Sequence, residues 1–111
     1  MKINEVTLNL NVADADEYER YEKAVNSAVE KIQQITDDMS GSQMIRVQCH
    51  AVFDCFNELF GEGTDRKLFG EKTDLLKCIK AFGELVAQVN REGDKLKGEI
   101  EKLGASFRVK K

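Results

Sequence analysis

A chain of 111 residues that is 41% hydrophobic and 33% charged has the size and composition of one folded domain, able to bury a modest core without metal or disulfide support. Its formal net charge of −3 argues against wholesale nucleic-acid binding, which needs a basic face to displace counterions from phosphate. The one locally basic stretch, Arg108, Lys110 and Lys111, reads as a solubilising tail rather than a binding arm.

The first segment alternates. Val6, Leu8, Leu10 and Val12 are apolar while Thr7, Asn9 and Asn11 are polar, the period of a strand with one buried face. Met1 to Ile3 can supply the other arm of a hairpin through Asn4-Glu5, although Glu is a poor substitute for the Gly that a type I′ turn prefers. A strand or hairpin alone is marginal, so residues 1–13 are expected to pack on helices or pair with another chain.

Asp14 with Glu17 three residues later is a capping-box signal. From there Tyr18, Tyr21, Val25, Ala28, Ile32, Ile35 and Met39 recur at spacings of three and four, which predicts an amphipathic helix over about residues 15–37. Its opposite face carries Glu19, Arg20, Glu22 and Lys23. Ser40-Gly41-Ser42 makes a break, and either serine can cap the next helix. That second helix has a main stripe of Ile45, Cys49, Val52, Phe53, Phe56, Leu59 and Phe60, and a weaker one of Met44, Val47, Ala51 and Cys55. A helix apolar on two faces is buried on two faces, so it is expected at the centre.

Gly61 suits the end of that helix. Thr64 is expected to cap a single turn through Leu68 and Phe69 that stops at Gly70. Asp74 then caps a long final helix with a stripe of Leu75, Ile79, Phe82, Val86, Val89, Gly93, Leu96, Ile100 and Leu103, a sustained heptad-like spacing. Its second half changes character: from Arg91 to Gly104 eight residues are charged and the apolar stripe thins to Leu96, Ile100 and Leu103. That end projects, frays or zips against a partner. The fold expected is mainly α: three principal helices plus a one-turn helix, with a short N-terminal β-hairpin or strand. It forms a single domain, with a β ribbon at 1–13, a helical core at 14–90, and a charged helical extension and basic tail at 91–111.

Candidate chemistry fails on geometry. His50 stands beside Cys49, but adjacent helical residues point about 100° apart and do not converge as a nucleophile and its base must. Cys49, Cys55, Cys78 and His50 lack the close ligand pairs of a zinc site. Gly70-Glu71-Lys72-Thr73 places a carboxylate where a phosphate loop needs backbone donors and lysine. Asp14, Asp16 and Glu17 lack the spacing of a calcium loop. The expectation is therefore a non-enzyme with no catalytic residue, cofactor or metal. An odd set of cysteines without a regular framework fits reduced thiols. No apolar run approaches a membrane span and the first residues carry no signal-peptide pattern, so a cytoplasmic protein without membrane contact is expected. The expected interaction surface is Met44, Val47, Ala51 and Cys55 on the second helix, with Leu96, Ile100 and Leu103 on the last.

Several segments together resemble a known family. They are Lys2-Ile3-Asn4, Val6 and Leu8, Asp14-Ala15-Asp16, Tyr21-Glu22-Lys23-Ala24, and Phe60-Gly61-Glu62-Gly63-Thr64 leading to Leu68-Phe69-Gly70. They resemble small prophage proteins of Gram-positive bacteria, generally of unknown function and encoded among tail-morphogenesis genes. The resemblance spans roughly residues 1–90, and the glycine-rich junction is its most specific part. The family often has Gly after Asn4, where this chain has Glu5. The resemblance implies a tail assembly chaperone, a small helical protein of the bacterial host cytoplasm that binds the long tape-measure protein and keeps it soluble. It supplies no site residues. The alternatives are a structural minor tail or connector component, and a small helical regulator that binds a host protein. A homo-oligomer is expected, formed through the second helix, the last helix or the ribbon.

Overall fold

The computed structural model describes residues 1–108. Of the expected basic tail, Lys110 and Lys111 lie outside them.

Strands β1 (Lys2–Ile3) and β2 (Val6–Thr7) form an antiparallel hairpin with Lys2 opposite Thr7 and Ile3 opposite Val6. Asn4 and Glu5 both take positive φ, 49° and 65°, as a two-residue turn of the I′ kind demands. One further pair follows: Leu8 N donates to Met1 O at 2.8 Å, and the Met1 amino group donates to Leu8 O at 3.0 Å. The strand expected to run to Val12 stops at Thr7. No strand lies alongside residues 9–12, and Leu10 and Val12 pack half-buried against the core instead.

Helix α1 (Ala15–Gln33) is capped by Asp14, whose carboxylate accepts from Glu17 N at 2.9 Å. Glu17 reaches past the cap to Asn11 N, 3.1 Å away, so the capping box is only half formed. The helix ends four residues short of residue 37. Asp37 and Asp38 follow it, and carboxylates at a helix C-terminus oppose the macrodipole. Thr36 Oγ1 also donates to the Asp38 carboxylate, a local bond that competes with helix. Ile35 and Met39 continue the apolar period outside any helix.

Helix α2 (Gly41–Phe60) opens on a full capping box between Ser40 and Gln43. It packs on α1, α3 and α4, and residues of both its stripes are buried: Cys49, Val52, Phe56 and Leu59 from one, Ala51 and Cys55 from the other. The central position read from the two stripes is the one it occupies.

Helix α3 (Thr64–Phe69) starts differently from expectation. Its cap is Gly63, held at φ 90°, and Thr64 makes no side-chain cap. The buried Thr64 hydroxyl donates to Gly61 O at 2.7 Å instead, while Asn57 Oδ1 accepts from Asp65 N at 3.0 Å. Asn57 therefore satisfies a free donor of the first turn from the preceding helix.

Helix α4 (Leu75–Arg108) has 34 residues, hence a length of roughly 51 Å at 1.5 Å per residue. Asp74 caps it, accepting from Lys77 N at 3.2 Å. The molecule measures 66 × 30 × 22 Å, and its radius of gyration of 17.5 Å exceeds the roughly 13 Å of a compact domain of this length. The long axis reflects the distal half of α4, which projects from the body. The face that α4 buries overlaps the expected stripe at Val89, with Leu75 and Phe82 partly buried against the core, but is shifted toward a neighbouring row. Cys78, Ala81, Leu85 and Val89 are buried, whereas Ile79 is 43% exposed. The centre of the buried row is rotated by roughly 85° from the Leu75–Ile79–Phe82–Val86 line, at 100° per residue. The small side chains of Cys78 and Ala81 lie in the core where α4 packs on α2.

Candidate interaction surface

The seven residues expected to form an interaction surface separate into two sets. Ala51 and Cys55 are each 2% exposed, covered by the chain's own elements, so neither offers side-chain surface to a partner. Met44 and Val47 are half-buried, and Val47 lines an open groove with Met39, Gln43, Arg46 and His50. The distal residues differ: Leu96 is 37%, Ile100 69% and Leu103 59% exposed.

The distal face continues the buried seam. Val89 is buried at the edge of the body; Leu96 and Leu103 follow at steps of seven, and Ile100 lies between them. Steps of seven turn a straight helix by only about 20°, so these side chains stay on nearly one line. Below Val89 the line is covered by the body, and beyond it the line is open. Burial of three such side chains is worth roughly 1.5–3 kcal/mol each, the ordinary driving force for recruiting a helix or an apolar segment.

Four glycines lie along α4. Gly83, Gly93, Gly98 and Gly104 lie in helix, and a Cβ at any of them meets no atom of the chain within 4 Å. Each costs about 1 kcal/mol of helix propensity relative to Ala, and no close approach within the chain accounts for them.

The thiols behave as packing groups. Burial pushes Cys55 and Cys78 up to about 12, and burial also raises Cys49. His50 is exposed with its ring 5.6 Å from that of Phe53, whereas Cys49 points into the core, so the two do not converge. Among the described residues no three His, Cys, Asp or Glu side chains are grouped to hold a metal ion.

Two features were not anticipated from the residues alone. Leu76 (64% exposed) and Ile79 leave apolar surface on the outer flank of α4, hidden in sequence because Ile79 belongs to the regular stripe. At the α2–α3 junction Asp54, Glu58, Glu62 and Asp65 surround an open, polar hollow with Arg66. The spacing of Asp54, Glu58 and Glu62 by four residues was its only sequence signal.

With this geometry in hand, comparison with known proteins gives one match. A model described as a family of unknown function (DUF6673) covers residues 4–110. The chain belongs to that family. No curated protein and no solved structure matches it. In this DUF6673 member no described helix is long and apolar enough to cross a membrane.

Proposed function

We propose that this DUF6673 chain is a non-enzymatic protein of phage tail morphogenesis. It acts in the bacterial cytoplasm as an assembly chaperone that binds the tape-measure protein through the distal half of α4. The observation supporting a binding role is the projecting helix whose Leu96, Ile100 and Leu103 are open to solvent. The tail context rests on the resemblance of the N-terminal segment and the glycine-rich junction to prophage tail-region proteins. A small body with a long protruding apolar face suits a chaperone, because it can cover apolar segments of a client while its charged flanks keep the pair in solution.

Co-expression with the cognate tape-measure protein tests this. The client is expected to stay soluble with the intact chain and to precipitate with an Ile100→Asp, Leu103→Asp variant. A client equally insoluble with and without the chain overturns the chaperone role. Recovery of the chain from purified particles by mass spectrometry points instead to a structural tail or connector component.

A further inference from the structure

We propose that α4 is a two-state element, which in the free chain also closes on itself as a helical hairpin hinged at Gly93-Asp94. Closure covers Leu96, Ile100 and Leu103. The inference rests on the reading of those three side chains as the client face, and adds the regulation of that face.

The first argument is a break signal that the helix runs through. Glycine ends α2 at Gly61 and α3 at Gly70, while aspartate caps α1 at Asp14 and α4 at Asp74. Gly93-Asp94 sets both signals side by side in the middle of α4. Glycine is among the poorest residues of a helix interior, and aspartate favours the N-cap. A Cβ at Gly93 meets nothing within 4 Å, so packing in the straight form does not call for a glycine there. The helix is weakest where a hairpin needs its turn.

The second argument is anchorage. Gln88 Nε2 donates to Lys2 O at 2.8 Å and ties α4 to the ribbon five residues before the hinge. Past it, the described ion pairs of α4 stay within the helix: Arg91 with Glu84, Lys95 with Glu92, and Lys102 with Glu99. Of these the Lys95–Glu92 pair spans the hinge, and as an exposed pair it resists bending only weakly.

The third argument is a matching face on the same helix. Leu76 and Ile79 are 64% and 43% exposed on the outer flank of the proximal half, followed by half-buried Val86 and Ala87. With Gly83 and Asn90 these positions span about 100° of the helix, and no charged residue falls among them. A turn of two to five residues pairs positions about equally far from the hinge. Ile100 then lies opposite Val86, seven residues on either side of Gly93, and Leu103 falls between Val86 and Ile79. Each open apolar row covers the other without a second molecule. The client and the flank compete for the same three side chains, so client binding selects the straight helix.

The test places spin labels on Lys80→Cys and Ser106→Cys, both exposed, in full-length protein whose native cysteines are buried. Dilution with unlabelled chain removes distances between copies. The straight helix separates the two positions by roughly 39 Å, at 1.5 Å per residue. The hairpin brings them below about 20 Å, since packed helix axes lie 8–10 Å apart. The free chain is expected to show the short distance, and the complex co-purified with the tape-measure protein the long one. Gly93→Ala with Asp94→Ala removes the break signals, and Ile79→Lys spoils the flank at an exposed position. Each is expected to shift the free chain to the long distance. A free chain that shows the long distance alone, or a short distance that survives both changes, overturns the hairpin. A short distance that persists in the client complex overturns its masking role. A chain that closes but keeps no client soluble removes the chaperone reading and leaves the hairpin, whereas one that holds its client and never closes removes the hairpin alone.

Discussion

The Cys49 thiol of α2 and the Cys78 thiol of α4 both lie in the core where the two helices meet, and neither is exposed to solvent. The thiolate is the reactive form of cysteine, and burial keeps both groups protonated. All three cysteines are therefore expected to resist iodoacetamide in the native protein at pH 8 and to react fully in denaturant. Mass spectrometry of the alkylated chain reads this directly. Rapid native labelling of Cys49 or Cys78 shows that α4 separates from α2 far more often than a packed seam allows.

The same burial sets an alkaline limit. Cys55 and Cys78 stand near 12 in the folded protein against an ordinary 9.0, and Tyr21 near 12 against 10.0, each mainly through desolvation. A folded value above the unfolded one means that the unfolded chain releases its protons first. The stabilisation is complete below pH 9 and drains away as pH rises from 9 to about 12. Urea midpoints are expected to be flat below pH 9 and to fall above it, with a shallower fall in Cys55→Ala. A midpoint unchanged between pH 8 and 11 contradicts this assignment.

How much of this was legible in the residues depends on what the pattern could encode. Two apolar stripes on α2 sufficed to place it centrally, because a helix with two apolar faces has to be covered twice. A serine at 40 or 42 and Asp74 were readable as caps because a cap needs only local geometry; the structure uses Ser40, boxed with Gln43, and Asp74, which accepts from Lys77 N. The buried face of α4 was readable only in part, at Val89 and at the partly buried Leu75 and Phe82. Apolar counting favours Leu75, Ile79 and Val86 over Cys78 and Ala81, yet close packing of two helices selects the small side chains. Ala51 and Cys55 failed as surface residues for a related reason: period identifies an apolar row, but not whether the chain itself or a partner covers it. Thr64 is not the cap because its hydroxyl bonds backward to Gly61 O, while Gly63 takes the cap position in the left-handed conformation.

Glu5 carries φ 65° in the hairpin turn, where the left-handed conformation costs a side chain about 1 kcal/mol that glycine does not incur. The turn is fixed on both sides, by buried Ile3 and by Asn4 Nδ2 donating to Leu68 O at 3.1 Å. It cannot relax to another form without losing these anchors. Glu5→Gly is expected to stabilise the fold by about 0.5–1 kcal/mol, less than the full conformational cost because glycine also loosens the unfolded chain. A lower urea midpoint for the variant refutes the argument.

Arg20, placed by sequence on the solvent face of α1, sends Nη2 to Leu59 O at 3.0 Å. Leu59 lies in the last turn of α2, where carbonyls have no partner within the helix and positive charge is favourable. The bond joins the two helices, which are also linked by Gln48 Nε2 donating to Ile32 O and by the Lys31–Asp54 ion pair. Arg20→Met keeps the aliphatic stem and removes the donor, so the expected loss is about 1 kcal/mol. The urea midpoint measures it, and a neutral outcome assigns that carbonyl to water.

Gly83 and Gly61 give opposite signs from the same substitution. Gly83 has ordinary helical geometry inside α4, and a Cβ there meets nothing within 4 Å. Gly83→Ala is expected to raise stability by about 1 kcal/mol through helix propensity. At Gly61 the space is equally open, but φ is 103°, so Gly61→Ala is expected to destabilise by at least as much. The comparison separates conformational cost from crowding, because neither site is crowded by the chain. If Gly83→Ala destabilises the protein at high concentration but stabilises it on dilution, a second molecule occupies that flank of α4. A loss at both concentrations instead shows that the helix is not straight and open at Gly83.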